Sequence, residues 1–250
     1  PTISSVVAGK PLAIGGTRGR REATSRGAFR TIASCARSID LALDGATAVV
    51  QGFGRVGSIL AQMLAAAGVN VVGIADDRDA VYDQNGIDVK RAVEWVREHD
   101  EIVGLPNAEP IDRDDLFGVE CDILASAGLQ SQITAANADT VSARIVAEAA
   151  TAPTTPAAHA ILRENGVRVI PDILCTAGGM VLSYFEWVQD IQSFFWTDAQ
   201  IVEELDRVMD AAMDEVVEMS DAKSVDLRGA AMMVAVKRVA DATHMRGLYP

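Results

Sequence analysis

Gly52, Gly54 and Gly57 stand at the spacing G-x-G-x-x-G, and each meets a different physical demand. Gly52 lets the chain turn tightly off a preceding strand, Gly54 lets backbone approach a diphosphate with no side chain between, and Gly57 permits close packing of the helix that follows. The N–H groups in the first turn of such a helix have no partner within it and face the anion. Phe53, Arg55 and Val56 fill the intervening positions of the turn. Asp76, 19 residues after Gly57, offers a carboxylate that can accept hydrogen bonds from a ribose diol. Glycine turns join strands to helices in many folds; a turn with an acidic residue at this distance points to a dinucleotide.

These residues need a strand, a helix and a second strand to hold them. Ala48, Val49 and Val50 form the apolar run before the turn, and Val56, Ile59, Leu60, Met63 and Leu64 recur at helical spacing after it. Residues 69–74 read as the next strand. Upstream, residues 1–19 read as loops, and a helix beginning at Arg20 or Arg21 carries the stripe Ala23, Ala28, Ile32, Cys35, Ala36 and Ile39, with Asp44-Gly45 turning the chain into the strand. Downstream, residues 80–87 read as a small hairpin or loop turning at Asn85-Gly86, and Asp88 caps a helix running to about residue 98. Residues 99–120 are polar and broken by Pro106 and Pro110. Strands are expected at 121–125, 144–147 and 167–170, and Thr155 caps a helix with Pro156 in its first position. Two long helices, 198–219 and 226–243, close the chain. Strands alternating with helices give an α/β fold: a Rossmann-like doubly wound, mostly parallel sheet with long C-terminal helices.

The chain has 250 residues and a formal net charge of −13, which argues against a nucleic-acid partner. No run of 18 apolar residues suggests a membrane span, and no charged-then-apolar leader pattern is seen, so a cytoplasmic protein is expected. Cys35, Cys121 and Cys175 are widely spaced and read as buried free thiols rather than metal ligands. Lys10, Lys90, Lys223 and Lys237 are the only lysines. An acidic, lysine-poor surface fits either a salty cytoplasm or an arginine-biased source. His99, His159 and His244 form no dyad with a nucleophile or a metal.

The run 51–57, the segment Ala152-Pro153-Thr154-Thr155-Pro156, the block Pro171-Asp172-Ile173-Leu174 with Ala177-Gly178-Gly179, and Ser183-Tyr184-Phe185-Glu186-Trp187-Val188-Gln189 resemble the glutamate dehydrogenases. Asp226-Leu227-Arg228 with Ala230-Ala231, and Arg246-Gly247-x-Tyr249-Pro250, are similar to the same family. The resemblance covers essentially the whole chain. It implies oxidation of L-glutamate to 2-oxoglutarate and ammonia with hydride transfer to a nicotinamide. It further implies that Thr24 holds the nicotinamide amide, that Ser183 bonds the substrate side-chain carboxylate, and that Asp76 meets the adenine ribose; Ala127, Thr151 and Thr176 complete the cofactor set. Asp76, with Asp77 and Asp79, favours NAD, whereas Arg78 offers a counter-charge, so NADP is not excluded.

Several positions depart from the family. Thr151, Thr176, Ser131 and Arg55 stand where asparagines are usual, and loss of an amide weakens cofactor orientation by about 1 kcal/mol per bond. The family's substrate domain, with its lysines and catalytic aspartate, precedes the part resembled by this chain. Residues 1–250 are therefore expected to be a dinucleotide-binding domain, with 190–250 a helical extension, no catalytic residue of their own, and a homo-oligomer in the intact enzyme. The alternatives are a non-catalytic cofactor-binding or regulatory module, or a structural subunit of a hetero-oligomer.

Overall fold

The structure is a computed structural model that describes residues 3–247. Pro1, Tyr249 and Pro250, which enter the sequence reading, lie outside the described residues. Seven strands form one sheet: β1 (Thr47–Gln51), β2 (Asn70–Ala75), β3 (Ala80–Tyr82), β4 (Glu109–Ile111), β5 (Ile123–Ser126), β6 (Ile145–Glu148) and β7 (Arg168–Ile170). Their spatial order is β4-β3-β2-β1-β5-β6-β7. β2, β1, β5, β6 and β7 are parallel, and β3 and β4 extend the β2 edge as antiparallel strands.

The central strands are apolar because both faces are covered. Ala48 and Val50 join a cluster with Ile32, Leu60, Ile123 and Ile145, while Val49 joins Leu116, Leu124, Val146 and Leu162 on the opposite face. Side chains alternate with period two, so a strand buried on both sides reads as a continuous apolar run. Burying each large aliphatic side chain contributes about 2 kcal/mol. The first face is covered by α1 (Ala23–Ser38), α2 (Arg55–Ala66), α3 (Val89–His99) and α8 (Leu227–Arg246); the second by α4 (Pro156–Glu164) and short helical turns at 115–118 and 138–140. A doubly wound, Rossmann-like sheet with long C-terminal helices is what the structure holds.

α5 (Asp172–Cys175), α6 (Gly178–Gln192) and α7 (Asp198–Lys223) complete the fold. α1 and α7 are held by a ladder at four-residue spacing: Arg26 to Asp206 at 2.6 Å, Arg30 to Asp210, and Ser34 Oγ to Asp214 at 2.7 Å. Among the described residues no helix is long and apolar enough to cross a membrane.

Several boundaries move from the sequence reading. α1 begins at Ala23, because Gly19 to Glu22 form a turn in which the N–H groups of Glu22 and Ala23 both donate to the Gly19 carbonyl. It ends at Ser38, not at Asp44. The Asn85-Gly86 pair does not turn the hairpin; β2 and β3 are joined at residues 76–79, where Asp76 Oδ1 accepts from the N–H groups of Arg78 and Asp79, both at 2.8 Å. Gly86 is favoured instead by its backbone, whose φ of +100° is a conformation that residues with a Cβ rarely adopt. β4 contains Pro110 and escapes the alternating pattern; it is an edge strand, where a missing N–H is tolerated. α6 was not legible as a helix because Met180, Tyr184 and Trp187 are exposed on it while Leu182 and Phe185 are buried, which blurs the apolar stripe.

Candidate functional site

β1 connects through α2 to β2 on one side and pairs with β5 on the other. The crevice beyond the carboxyl ends of strands at such a switch point is the ligand-binding position of open α/β sheets. A cavity of about 340 Å³ lies there, lined by Gly52, Phe53, Gly54, Asp76 and Ala127 together with Gln51, Asp77, Arg78, Arg113 and Gln132.

The glycine turn follows from close contacts. Gly52 has φ +94° and a Cβ on it would sit 2.4 Å from Gly128 N; a Cβ on Gly57 would sit 1.9 Å from Gly52 O. Gly54 differs, because nothing lies within 4 Å of its absent Cβ. That open face borders the cavity at the start of α2, and Gly54 supplies no side chain to cap the helix. The residues present therefore fit a diphosphate: a bare backbone, a helix N-terminus and open space in one place. Phe53 is buried and its N–H donates to Ala75 O at 2.6 Å, which ties the turn to the end of β2. Arg55 and Val56 begin α2, and Val56 O accepts from Ser25 Oγ at 2.9 Å. With Oδ1 of Asp76 engaged in its own turn, Oδ2 is left to accept from a ligand.

Gln51 enters the sequence analysis only as the first residue of the run 51–57, with no site role. It is the polar last residue of an apolar strand, only 3 % exposed, accepting from Ser126 Oγ at 2.9 Å and donating to Gln132 Oε1 at 3.1 Å. Its position at the strand end was the available signal.

Thr24, Thr151, Thr176 and Ser183 lie outside this cavity. Thr151 is exposed just beyond β6. The loop around it is fixed by Ala152, whose N–H donates to Asp172 Oδ2 at 2.8 Å and whose carbonyl accepts from Ser131 N at 2.9 Å. Thr24 lies in the first turn of α1, where α6 crosses. A Cβ on Gly178 would be 2.1 Å from Ala23 O, and one on Gly179 would be 2.9 Å from Thr24 Oγ1. The two glycines thus bring the start of α6 onto α1, beside the Thr24 hydroxyl. Thr176 donates to its own helix, at Asp172 O, 2.8 Å away. Ser183 Oγ donates to Gly179 O at 3.0 Å and accepts from Arg20 Nη1 at 2.8 Å.

The profile of the Glutamate/Leucine/Phenylalanine/Valine dehydrogenase family matches residues 15–247. This chain belongs to that family. It is 42 % identical to the glutamate dehydrogenase of Thermotoga maritima over 252 aligned positions, covering 100 % of this chain and 60 % of that protein. An NAD-specific glutamate dehydrogenase of Staphylococcus aureus is 39 % identical, with 96 % of this chain and 58 % of the relative covered. The structure superposes on a hetero-hexameric glutamate dehydrogenase from Thermus thermophilus with a TM-score of 0.91 at 33 % identity, over 99 % of this chain and 58 % of that one. The chain thus spans about three fifths of the relatives it matches.

In this member of the dehydrogenase family, the segment before α1 is held by a residue the sequence reading quoted only as part of a motif. Glu186 is 1 % exposed and accepts from Gly9 N at 2.9 Å, Lys10 N at 3.1 Å, Lys10 Nζ at 2.6 Å and Arg20 Nη2 at 2.5 Å. Burial raises its pKa, but Lys10, the Gly9 N–H and Arg20 outweigh this and hold the carboxyl at about 2. Its folded pKa lies below the ordinary value, so its stabilisation is present above about pH 4.5 and is lost as pH falls toward 2. Glu186→Gln is expected to release residues 7–20 to protease at neutral pH, while the wild-type segment loosens only on acidification. Equal cleavage of both proteins at pH 7 would contradict this.

Among the described residues the cysteines are not activated nucleophiles. Burial pushes Cys35 up to about 11 and Cys121 and Cys175 to about 12, which makes them inert thiols. His99 stacks on Trp95 with centroids 3.8 Å apart, and His159 Nε2 lies 3.3 Å from Asp226, the cap of α8. Lys10 is committed to Glu186 and to Asp190 at 2.7 Å.

Proposed function

We propose that residues 1–250 are the dinucleotide-binding part of a glutamate dehydrogenase, with 190–250 a helical extension, and that NAD binds along the carboxyl edge of the sheet. The reading rests foremost on the switch-point crevice where the open face of Gly54 adjoins Asp76. The N–H groups at the start of α2 would receive the diphosphate and Asp76 Oδ2 the adenosine ribose. Thr24, Thr151, Thr176 and Ala127 would line the path toward the nicotinamide, which supplies hydride acceptance when bound. Because Arg20 donates to Ser183 Oγ, the serine proton is free to swing from Gly179 O toward a substrate carboxylate. L-Glutamate would be oxidised to 2-oxoglutarate and ammonia, and the assembly would be oligomeric, in keeping with the relatives' names.

Deprotonating an amine and holding an α-carboxylate need acid–base groups. Lys10 is engaged, so these would come from the length of polypeptide that the relatives carry in addition. The chain by itself would bind NAD without oxidising glutamate. A second reading, a cofactor-binding subunit that does not catalyse, is favoured by Thr176, whose hydroxyl is turned into its own helix. The test is glutamate-dependent reduction of NAD by the protein carrying the relatives' full length. Turnover supports the first reading, and NAD binding without turnover the second.

Gly54→Val separates site from fold. Its side chain would enter open space, so the melting temperature is expected to stay within about 2 °C while NAD affinity falls about tenfold or more. Unchanged affinity would remove Gly54 from the site.

A further inference from the structure

Ala152 stands on left-handed backbone, at φ +46°. Residues with a Cβ adopt this region rarely, and it persists only where the surroundings impose it. Here the chain is gripped from two sides: Ala152 N–H donates to Asp172 Oδ2 at 2.8 Å, and its carbonyl accepts from Ser131 N at 2.9 Å. The next residues are zipped to the same neighbouring loop, with Ile133 N donating to Pro153 O and Thr155 N to Ile133 O, both at 2.9 Å. Of these partners, Asp172 alone acts through its side chain.

Asp172 is itself fixed. Its N–H donates to Glu148 Oε2 at 2.8 Å, and its Oδ1 accepts from Ile173 N at 2.9 Å and Arg228 Nη1 at 3.4 Å, which leaves Oδ2 for Ala152. The loops that follow β7, β6 and β5 are thereby tied together along the carboxyl edge of the sheet. Strand order says what lies there. Asp76 follows β2 and the glycine turn follows β1; the sheet continues with β5 and then β6, two strands or about 10 Å beyond β1. A dinucleotide with its adenosine at Asp76 and its diphosphate at Gly54 would extend its other half toward β5 and β6, where Thr151 is exposed.

We propose that Asp172 is a positioning residue for the nicotinamide half of the cofactor: it touches no ligand, and by holding Ala152 in its left-handed conformation it keeps the loop with Thr151 at the carboxyl edge. Without this acceptor the strained residue relaxes to negative φ and the loop withdraws. The adenosine half, held at β1 and β2, does not depend on it. This inference rests on the dinucleotide reading above. Glycine takes positive φ without strain, so a glycine at position 152 needs no such holder.

The test titrates the 250-residue chain with NADH, read by nicotinamide fluorescence, and with ADP, read by calorimetry, for the wild type, Asp172→Ala, Ala152→Gly and the double variant. Arg228 still balances Glu148 in Asp172→Ala, and ADP binding reports that the variant is folded. The wild type is expected to raise the emission of bound NADH. Asp172→Ala should remove about half of that rise or more while binding ADP within about twofold of the wild type. In the Ala152→Gly background the same substitution should remove less than about a quarter, the coupling expected if Asp172 acts through Ala152. An unchanged rise in Asp172→Ala, an equal loss in both backgrounds, or a loss of ADP binding that matches the loss of NADH overturns the inference and leaves the dinucleotide reading intact. So does a wild type that binds ADP and NADH with no rise in emission. If the wild type binds neither, the dinucleotide reading falls and the inference with it.

Discussion

Arg228→Ala is expected to lower the unfolding free energy by about 3–5 kcal/mol, read from urea denaturation. Glu148 is fully buried at the end of β6, and both its carboxylate oxygens accept from Arg228 Nη2 at 2.6 Å. Arg228 also reaches Asp172 at 3.4 Å. Without the guanidinium, Glu148 would retain one donor, Asp172 N at 2.8 Å, and would lose the positive charge it shares with the Asp172 carboxylate. Breaking a buried pair on one side is costly, whereas replacing both partners with well-packed apolar groups is often neutral. The double variant Glu148→Leu with Arg228→Met should therefore recover most of the loss. A loss below about 1 kcal/mol for Arg228→Ala would place the pair in the class of surface bridges. Because Asp172 also holds Ala152 N, the single variant should loosen the loop carrying Thr151.

Gly57→Ala should damage both the fold and the site. The new Cβ would lie 1.9 Å from Gly52 O and 3.2 Å from Ala127 Cβ, so α2 must move away from the sheet. Overpacking typically costs about 1–3 kcal/mol, and backbone on both sides of this contact puts the change at the upper end. The displacement also shifts the N-terminus of α2 from the proposed diphosphate position, so stability and NAD affinity should fall together. Gly54→Val should lose affinity alone. The opposite pattern, with Gly57→Ala stable and Gly54→Val unfolded, would mean the roles of the two glycines are reversed.

The legible parts of this chain are those encoded by neighbours in sequence. The strand, glycine turn, helix and Asp76 are read from residues 47–76, and the caps at Asp88 and Thr155 are closed by N–H groups three residues away. Contacts across long separations were not legible. Glu186 meets Lys10 and Arg20 from the far end of the chain, and Arg228 meets Glu148 across 80 residues. Both carboxylates sit in runs whose local pattern gives no hint of a partner. The β2–β3 reversal was missed because the carboxylate of Asp76 makes the turn itself, where Asn85-Gly86 carried the stronger local signal. Arg113 follows a proline-containing edge strand, and only the sheet order brings it beside Asp77.

The most direct test of a dinucleotide site on this sheet edge is calorimetric titration of the 250-residue chain with NAD, paired with the Gly54→Val variant. The account predicts binding between micromolar and millimolar that the variant loses while remaining folded. Absence of binding by the folded wild-type chain, or binding that Gly54→Val leaves unchanged, would contradict it.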